Sequence, residues 1–243
     1  MRQLGKNVIP KNRKISKLIN PWSNKTYGPE LHDLYLLHSY IILNKRLTVL
    51  EFGSGWSSFV IAHALLINKK KYQSKVKKIR KKNIFELHII ENEKKYLSIT
   101  KKRNKKFLTK SDHIEYYFSD CQMTTFNNQF CTEYKKLPLV NPDFIYLDGP
   151  DQFKVKKRIN NFTTNHNDMM PMVSDILKIE NFLIPGTIIL ADGRKANSMF
   201  LKNNFKRNWI YNYDKENDQN IFYLNDPSLG PINDEIFNFY RNK

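Results

Sequence analysis

Short apolar runs recur along this chain, and acidic residues stand at their ends. Leu47–Leu50 leads into Glu51, Ile84–Ile90 into Glu91, Pro142–Leu147 into Asp148 and Thr187–Ala191 into Asp192, while Asp120 lies just past His113–Phe118. Runs of this length, bounded by turn residues, read as buried parallel strands. The segments between them carry apolar residues at helical spacing. Residues 29–44 read as an amphipathic helix with Pro29 in its first turn, Phe59–Ile67 as a second helix and 92–106 as a charged surface helix. Residues 168–183 suit a helix that turns Met169, Met172, Val173, Ile176, Leu177 and Ile179 inward, and another helix is expected near 195–205. Trp209–Tyr213 and Ile221–Leu224 then flank a polar turn as a β-hairpin would, and Ile232, Ile236, Phe239 and Tyr240 share one face of a last helix. Five alternations followed by a hairpin predict an α/β fold: an open, mostly parallel sheet of seven strands with helices on both faces and a C-terminal antiparallel hairpin.

Three stretches do not fit the alternation. Residues 1–27 are polar and basic and are broken by Pro10 and Pro21, so they read as an extended arm. Residues 68–82 hold nine Lys or Arg and no acid, which reads as a solvated loop or frayed helix end inserted before the second strand. Residues 121–141 read as polar and irregular, too long for a routine connection, and are expected to be a functional loop or an insertion. The chain divides accordingly into an N-terminal arm and helix, 1–45, and one α/β domain, 46–243.

The chain is 243 residues long and bears a formal charge of +18. That charge admits nucleic acid, an anionic glycan, a membrane surface or an acidic partner. Most of the excess is Lys rather than Arg, and Asn is abundant too. Both are encoded by AT-rich codons, so base composition accounts for part of it. No apolar stretch approaches the roughly 20 residues of a membrane span, and no apolar signal core follows the basic residues Met1–Lys14. Cys121 and Cys131 match no metal spacing and read as free thiols in a reducing, cytoplasmic setting.

In an open α/β sheet, ligands bind at the carboxyl ends of the strands, where the strand order reverses. The acids at the strand ends therefore converge on one edge, beside the turn Gly53-Ser54-Gly55 that follows the first strand. Glycine there lets the backbone bend and lets a ligand approach, and the N–H groups of the turn and of the helix after Trp56 face the site. Taken alone, such a turn is also what any tight strand-to-helix connection needs.

Glu51-Phe52-Gly53-Ser54-Gly55 resembles the first motif of class I S-adenosylmethionine (SAM)-dependent methyltransferases. In that family the acid and glycine turn pack against the methionine part of the cofactor, which implies cofactor contacts for Glu51, Gly53, Ser54, Gly55, Trp56 and Ser57. Glu91 matches the acid that holds the ribose hydroxyls, and Asp120 lies where the family often contacts adenine. Asp143–Asp151 resembles the segment facing the transferring methyl group, which gives Asp148 a place at both cofactor and acceptor. Ile184–Asp192 resembles the fifth-strand segment with its Pro-Gly turn. The resemblance spans about residues 47–224 and implies a Rossmann-like sheet. Glu91 lies further from the glycine turn than the roughly 20 residues usual in compact nucleotide-binding folds, an excess that an insertion at 68–82 would absorb.

The resemblance implies methyl transfer to a hydroxyl, with Gly53–Ser57 and Asp148-Gly149-Pro150 pointing to small-molecule and sugar O-methyltransferases of surface-glycan pathways. Asp148, Asp151 and His166 are the candidate catalytic groups, either orienting the acceptor or acting as base. Asp192 and Arg194 are the candidate acceptor contacts, and the N-terminal arm and helix, 1–45, form either a lid over the acceptor pocket or a packing strap. O-methyltransferases resembling catechol O-methyltransferase hold a divalent metal on acids matching Asp148 and Asp192. Gly193 stands where that pattern has Asn or Asp, so turnover without metal is expected. Two other readings remain open: an RNA or protein methyltransferase using the basic surface, and an NAD-binding oxidoreductase. Against the latter, Ser58 stands at the third small position of Gly-x-Gly-x-x-Gly/Ala and Trp56 crowds the turn.

Overall fold

The computed structural model describes residues 30–241. The arm 1–27 therefore lies outside the described residues, as do Gly28 and Pro29. The helix that follows the arm spans α1 (Leu31–Leu43). Then come β1 (Thr48–Phe52), α2 (Trp56–Tyr72), β2 (Glu86–Glu91), α3 (Lys94–Phe107) and β3 (Ile114–Phe118). A hairpin of β4 (Cys121–Phe126) and β5 (Gln129–Tyr134) is followed by β6 (Phe144–Leu147), the short β7 (Val155–Lys156) and α4 (Asp175–Ile179). The chain finishes with β8 (Ile188–Asp192), α5 (Lys195–Asn204), β9 (Trp209–Asp214), β10 (Gln219–Leu224) and α6 (Pro231–Arg241).

Seven strands form the main sheet in the order β3-β2-β1-β6-β8-β10-β9. The first five are parallel. β10 runs antiparallel to both β8 and β9, so the antiparallel strand lies inside the sheet and β9 takes the edge. The order reverses between β1 and β6, which opens a crevice at their carboxyl ends.

Successive strand residues face opposite sides, and both sides are apolar, as a sheet covered on two faces requires. Val49, Leu87, Ile89, Phe144 and Tyr146 pack with α1 and α2 through Leu37, Ile41, Val60 and Ala64. Leu50, Phe52, Ile90, Ile145 and Leu147 pack on the other side with Ile176 of α4, Leu201 of α5 and the hairpin residues Met123 and Tyr134. At the amino ends of the strands, Asp143 is fully buried. Its carboxylate accepts the Leu47 and Thr48 amides at 2.8–3.1 Å and the Tyr240 hydroxyl, tying β1, β6 and α6 together.

Three expectations fail. Residues 121–134 are not irregular, since β4 and β5 pair in register and β7 joins them in a three-stranded sheet of order β5-β4-β7, an insertion outside the main sheet, and only 135–141 lacks regular structure. The alternation there is short and polar, and its inward residues, Cys121, Met123, Cys131 and Tyr134, are too few to stand out. Residues 168–174 are not helical. Pro171 has no N–H to donate, and Thr132 donates to the Met172 carbonyl at 2.8 Å, so helix begins only at Asp175. Finally, 68–82 is not merely solvated: α2 continues to Tyr72, and Tyr72, Val76 and Ile79 are buried with Leu47, Phe85 and Ile236 while the lysines between them face outward.

Candidate functional site

The crevice at the reversal point is built from the segments following β1, β2, β6 and β8. Gly53 has φ +99°, in the left-handed region that glycine tolerates, and its amide donates to Ile90 O at 2.9 Å. Register places Phe52 opposite Ile90 on one side and Leu147 on the other. Glu91 therefore lies beside the glycine turn irrespective of the length of the preceding connection, although 68–82 is a packed element and not the solvated insertion expected to absorb the excess.

Glu51 is fully buried, one residue before the end of β1. The Ser57 hydroxyl donates to its Oε1 at 2.5 Å, and Oε2 has no partner among the described residues. Burial pushes this carboxyl up to about 8, with hydrogen bonds from Ser57 and Ser58 opposing. Glu91 is nearly as buried. Ser54 Oγ donates to its Oε2 at 2.7 Å and the Glu93 amide to its Oε1 at 2.9 Å, and burial raises it to about 7.

Asp148 follows β6. Its side chain is 53% accessible. The surrounding protein raises its pKa, tempered by that access to water and opposed by Arg194. Asp192 ends β8 and accepts the Tyr146 hydroxyl at 3.1 Å. Burial first, then the charge of Asp148, raises Asp192 to about 7. The charges of Asp33 and Glu30, at the start of α1, push it in the same direction. His32 of α1 also meets Asn217, in the β9–β10 turn, at 2.8 Å. The chain thus enters α1 at the mouth of this crevice.

Arg194 is already engaged. It donates to the carbonyls of Asp148 (2.7 Å) and Pro150 (3.3 Å), and its Nε lies 3.6 Å from the Asp148 carboxylate. It holds the loop after β6, and its Nη1 has no partner among the described residues. Asp151 has a structural task as well. Its carboxylate accepts the Phe153 amide at 2.8 Å, capping a turn of 3₁₀ helix, and its backbone exchanges two hydrogen bonds with Asn92. Asp120 is bound by Lys156 at 2.7 Å and Lys135 at 3.2 Å, and these cations hold its carboxyl below the usual range. His166 is exposed, accepts the Asp168 amide at 3.2 Å and lies 3.8 Å from the Asp168 carboxylate. The structure brings Glu51, Glu91, Asp148 and Asp192 to one edge and gives Asp120, Asp151 and His166 other partners.

Trp56 packs sideways on α3, stacking near Phe107 and meeting Phe59 edge-on, with the Arg103 guanidinium 4.2 Å from its ring centroid. Arg103 Nη1 is buried without a partner, and the Glu51 charge acts on this guanidinium. Arg103 and Tyr146 escape notice in the sequence. The first is one of many cations on a surface helix, and the second is one more apolar-seeming residue of a strand. Among the described residues no three His, Cys, Asp or Glu are grouped to hold a metal ion.

No family model matches the chain, and no curated protein matches it. Solved structures of similar arrangement include an O-methyltransferase from Bacillus cereus in complex with SAH (11% identity, 84% of each chain, TM-score 0.45). Another is the O-methyltransferase TomG from Streptomyces achromogenes, involved in tomaymycin synthesis, in complex with SAM (13% identity, 83% of this chain and 82% of that one, TM-score 0.44). A third is cofactor-bound Rv0187 from MTB (9% identity, 84% of each chain, TM-score 0.48). The fold class rests on the strand order and register described above, not on these similarities.

Proposed function

We propose that this chain is a SAM-dependent methyltransferase that transfers a methyl group to a hydroxyl of a small molecule or of a sugar in a glycan precursor. One observation carries the reading. A chain with 41 Lys and Arg against 23 Asp and Glu gathers four carboxylates, Glu51, Glu91, Asp148 and Asp192, around the glycine turn at the strand-order reversal. Burial raises three of them to about 7 or 8, and a cationic ligand would favour their ionised forms.

The cofactor's chemistry fits those residues. SAM carries a sulfonium, an ammonium and two ribose hydroxyls, all of which favour carboxylate partners. Glu51 Oε2 is a buried acceptor with no partner among the described residues. Glu91 would accept the ribose hydroxyls, and the turn Ser54–Ser57 would hold the methionine portion. NAD is a poorer fit because its pyrophosphate is anionic. Arg194, beside these acids, is occupied by Asp148. The antiparallel β10, paired with β8, also favours the methyltransferase reading.

Bound SAM supplies an electrophilic methyl group for direct displacement. The chain must then align the acceptor oxygen, exclude water and take up a proton. Asp148, held through Arg194, orients the acceptor hydroxyl. Asp192, near neutrality and hydrogen-bonded to Tyr146, is suited to receive the proton. The start of α1, at the mouth, would border the acceptor. Among the described residues no helix is long and apolar enough to cross a membrane, and Cys121 and Cys131 are buried free thiols. A cytoplasmic setting agrees with both.

Calorimetry with SAM and NADH tests the reading. Saturable SAM binding is expected, and NADH binding without SAM binding would reverse it. Methylation of RNA or protein is the second reading, motivated by the basic surface. RNA binding that persists at moderate salt would favour it.

A further inference from the structure

The carboxyl-end crevice leaves the opposite edge of the sheet without a task. There, where the segments leading into β2, β6 and β8 meet α6, a cavity of about 300 Å³ opens between Arg80, Lys81, Lys82 and the start of α6. Two kinds of surface line it. One wall is apolar and includes Ile184, Leu229 and Ile232, of which Leu229 is 68% and Ile232 46% exposed. The other wall is cationic. The Lys81 ammonium donates to Asn141 O at 2.7 Å, while Arg80 and Lys82 are exposed and have no acidic partner among the described residues. Asp143, whose charge reaches Lys81, is already saturated by the Leu47 and Thr48 amides and Tyr240.

Asn233 supplies an independent sign of a ligand. It lines the cavity, is 4% exposed, and its Nδ2 has no hydrogen-bond partner among the described residues. Its orientation is fixed because Oδ1 accepts the Leu229 amide at 3.1 Å. Reversing the amide would set two donors against each other. A buried N–H without an acceptor is costly, on the order of 1–3 kcal/mol, so a shift that opens it to an acceptor in the cavity is favoured.

We propose that this cavity binds a phosphate monoester carrying an apolar body. Arg80 and Lys82, with the Lys81 ammonium beside them, suit a phosphate, whose charge of about −1.5 to −2 and three acceptor oxygens exceed what a carboxylate offers. The exposed leucine and isoleucine would cover the apolar part. The site is separate from the proposed methyl-transfer crevice, because the parallel strands place the two at opposite ends of the sheet.

Calorimetry of the full chain with hexyl phosphate at about physiological salt tests this. Saturable binding is expected, weaker for inorganic phosphate, and reduced at least about tenfold in Arg80→Gln/Lys82→Gln. Ile232→Asp is expected to weaken hexyl phosphate as well. All three positions are exposed, so the variants should fold, and SAM titration of each should be unchanged. Vesicles with and without phosphatidic acid distinguish a lipid headgroup from a soluble ester. Vesicle binding that is lost in Arg80→Gln/Lys82→Gln supports a membrane-borne source. The proposal is overturned if hexyl phosphate does not saturate, if vesicles bind while hexyl phosphate does not, or if Lys105→Gln/Lys106→Gln on α3 weakens binding as much, which would mark simple polycation behaviour.

Discussion

A Cβ placed on Gly149 would lie 2.5 Å from the Gly53 amide nitrogen and 2.7 Å from its Cα, so the loops after β1 and β6 touch backbone to backbone. This contact closes the floor of the crevice and fixes the glycine turn against the segment carrying Asp148. Gly149→Ala must push the two loops apart. We expect a loss of about 1–3 kcal/mol in denaturant unfolding, together with weakened SAM binding. Gly55→Ala is the contrast. Its Cβ would meet only Ser57 Oγ at 3.7 Å, so stability should change by less than about 1 kcal/mol while SAM affinity falls. Equal losses of stability in the two variants would refute the assignment.

Glu51 predicts how stability follows pH. Its folded carboxyl is raised to about 8 from an ordinary 4.5, so between these values the folded chain keeps a proton that the unfolded chain releases. The contribution is fully present below about 4.5 and is lost as pH rises through about 8. Without ligand, the protein should melt higher at pH 6 than at pH 8.5, by about 2–4 °C for each kcal/mol. Glu51→Gln should flatten that dependence and lose SAM affinity. A wild-type midpoint that rises across this range would contradict the buried, unpaired carboxylate.

Asp192 bears on turnover. A base near 7 must be deprotonated to act, so turnover at saturating SAM should rise as pH passes through about 7. Asp192→Asn should remove that limb and lower kcat by about 10²–10⁴. Asp148→Asn should lower kcat as well while SAM binding survives in calorimetry. Retained wild-type kcat in both variants would move the chemistry elsewhere.

Arg194→Met separates positioning from acceptor binding. Loss of the bonds to the Asp148 and Pro150 carbonyls should cost about 1.5–3 kcal/mol in stability and lower kcat for every acceptor, charged or neutral. A rise in KM confined to anionic acceptors would instead return Arg194 to the acceptor-contact role that its sequence position suggested.

His166→Ala should leave kcat within about twofold and stability within about 0.5 kcal/mol, as for an exposed side chain paired only within its own loop. Asp151→Ala should lower stability by about 1 kcal/mol through the lost cap, with little effect on the chemical step.

The sheet was legible in the sequence because burial on both faces demands long-lived apolar runs. Val49, Leu50 and Phe52, like Phe144, Ile145 and Leu147, pack into apolar layers on both sides of the sheet, and glycine at 53 marks the turn that ends the first run. The edge of the site was legible for a related reason, since acids at the ends of parallel strands must share one edge. What each acid does there was not legible. Asp148 and Asp151 are three residues apart, yet one opens into the crevice and the other caps a turn. Asp120 and Asp192 both stand at or just past strand ends, but two lysines from β7 and the segment after β5 claim the first, while Tyr146 and a neighbouring acid set the second. These differences come from partners distant in sequence. The same holds for Trp56, which leaves the glycine turn to lie under Arg103, and for the hairpin of β4 and β5, whose pairing rather than its pattern makes it a sheet. Sequence period fixes which residues must be buried together. Only the packed chain decides which polar groups find partners, and therefore which are left free to meet a ligand.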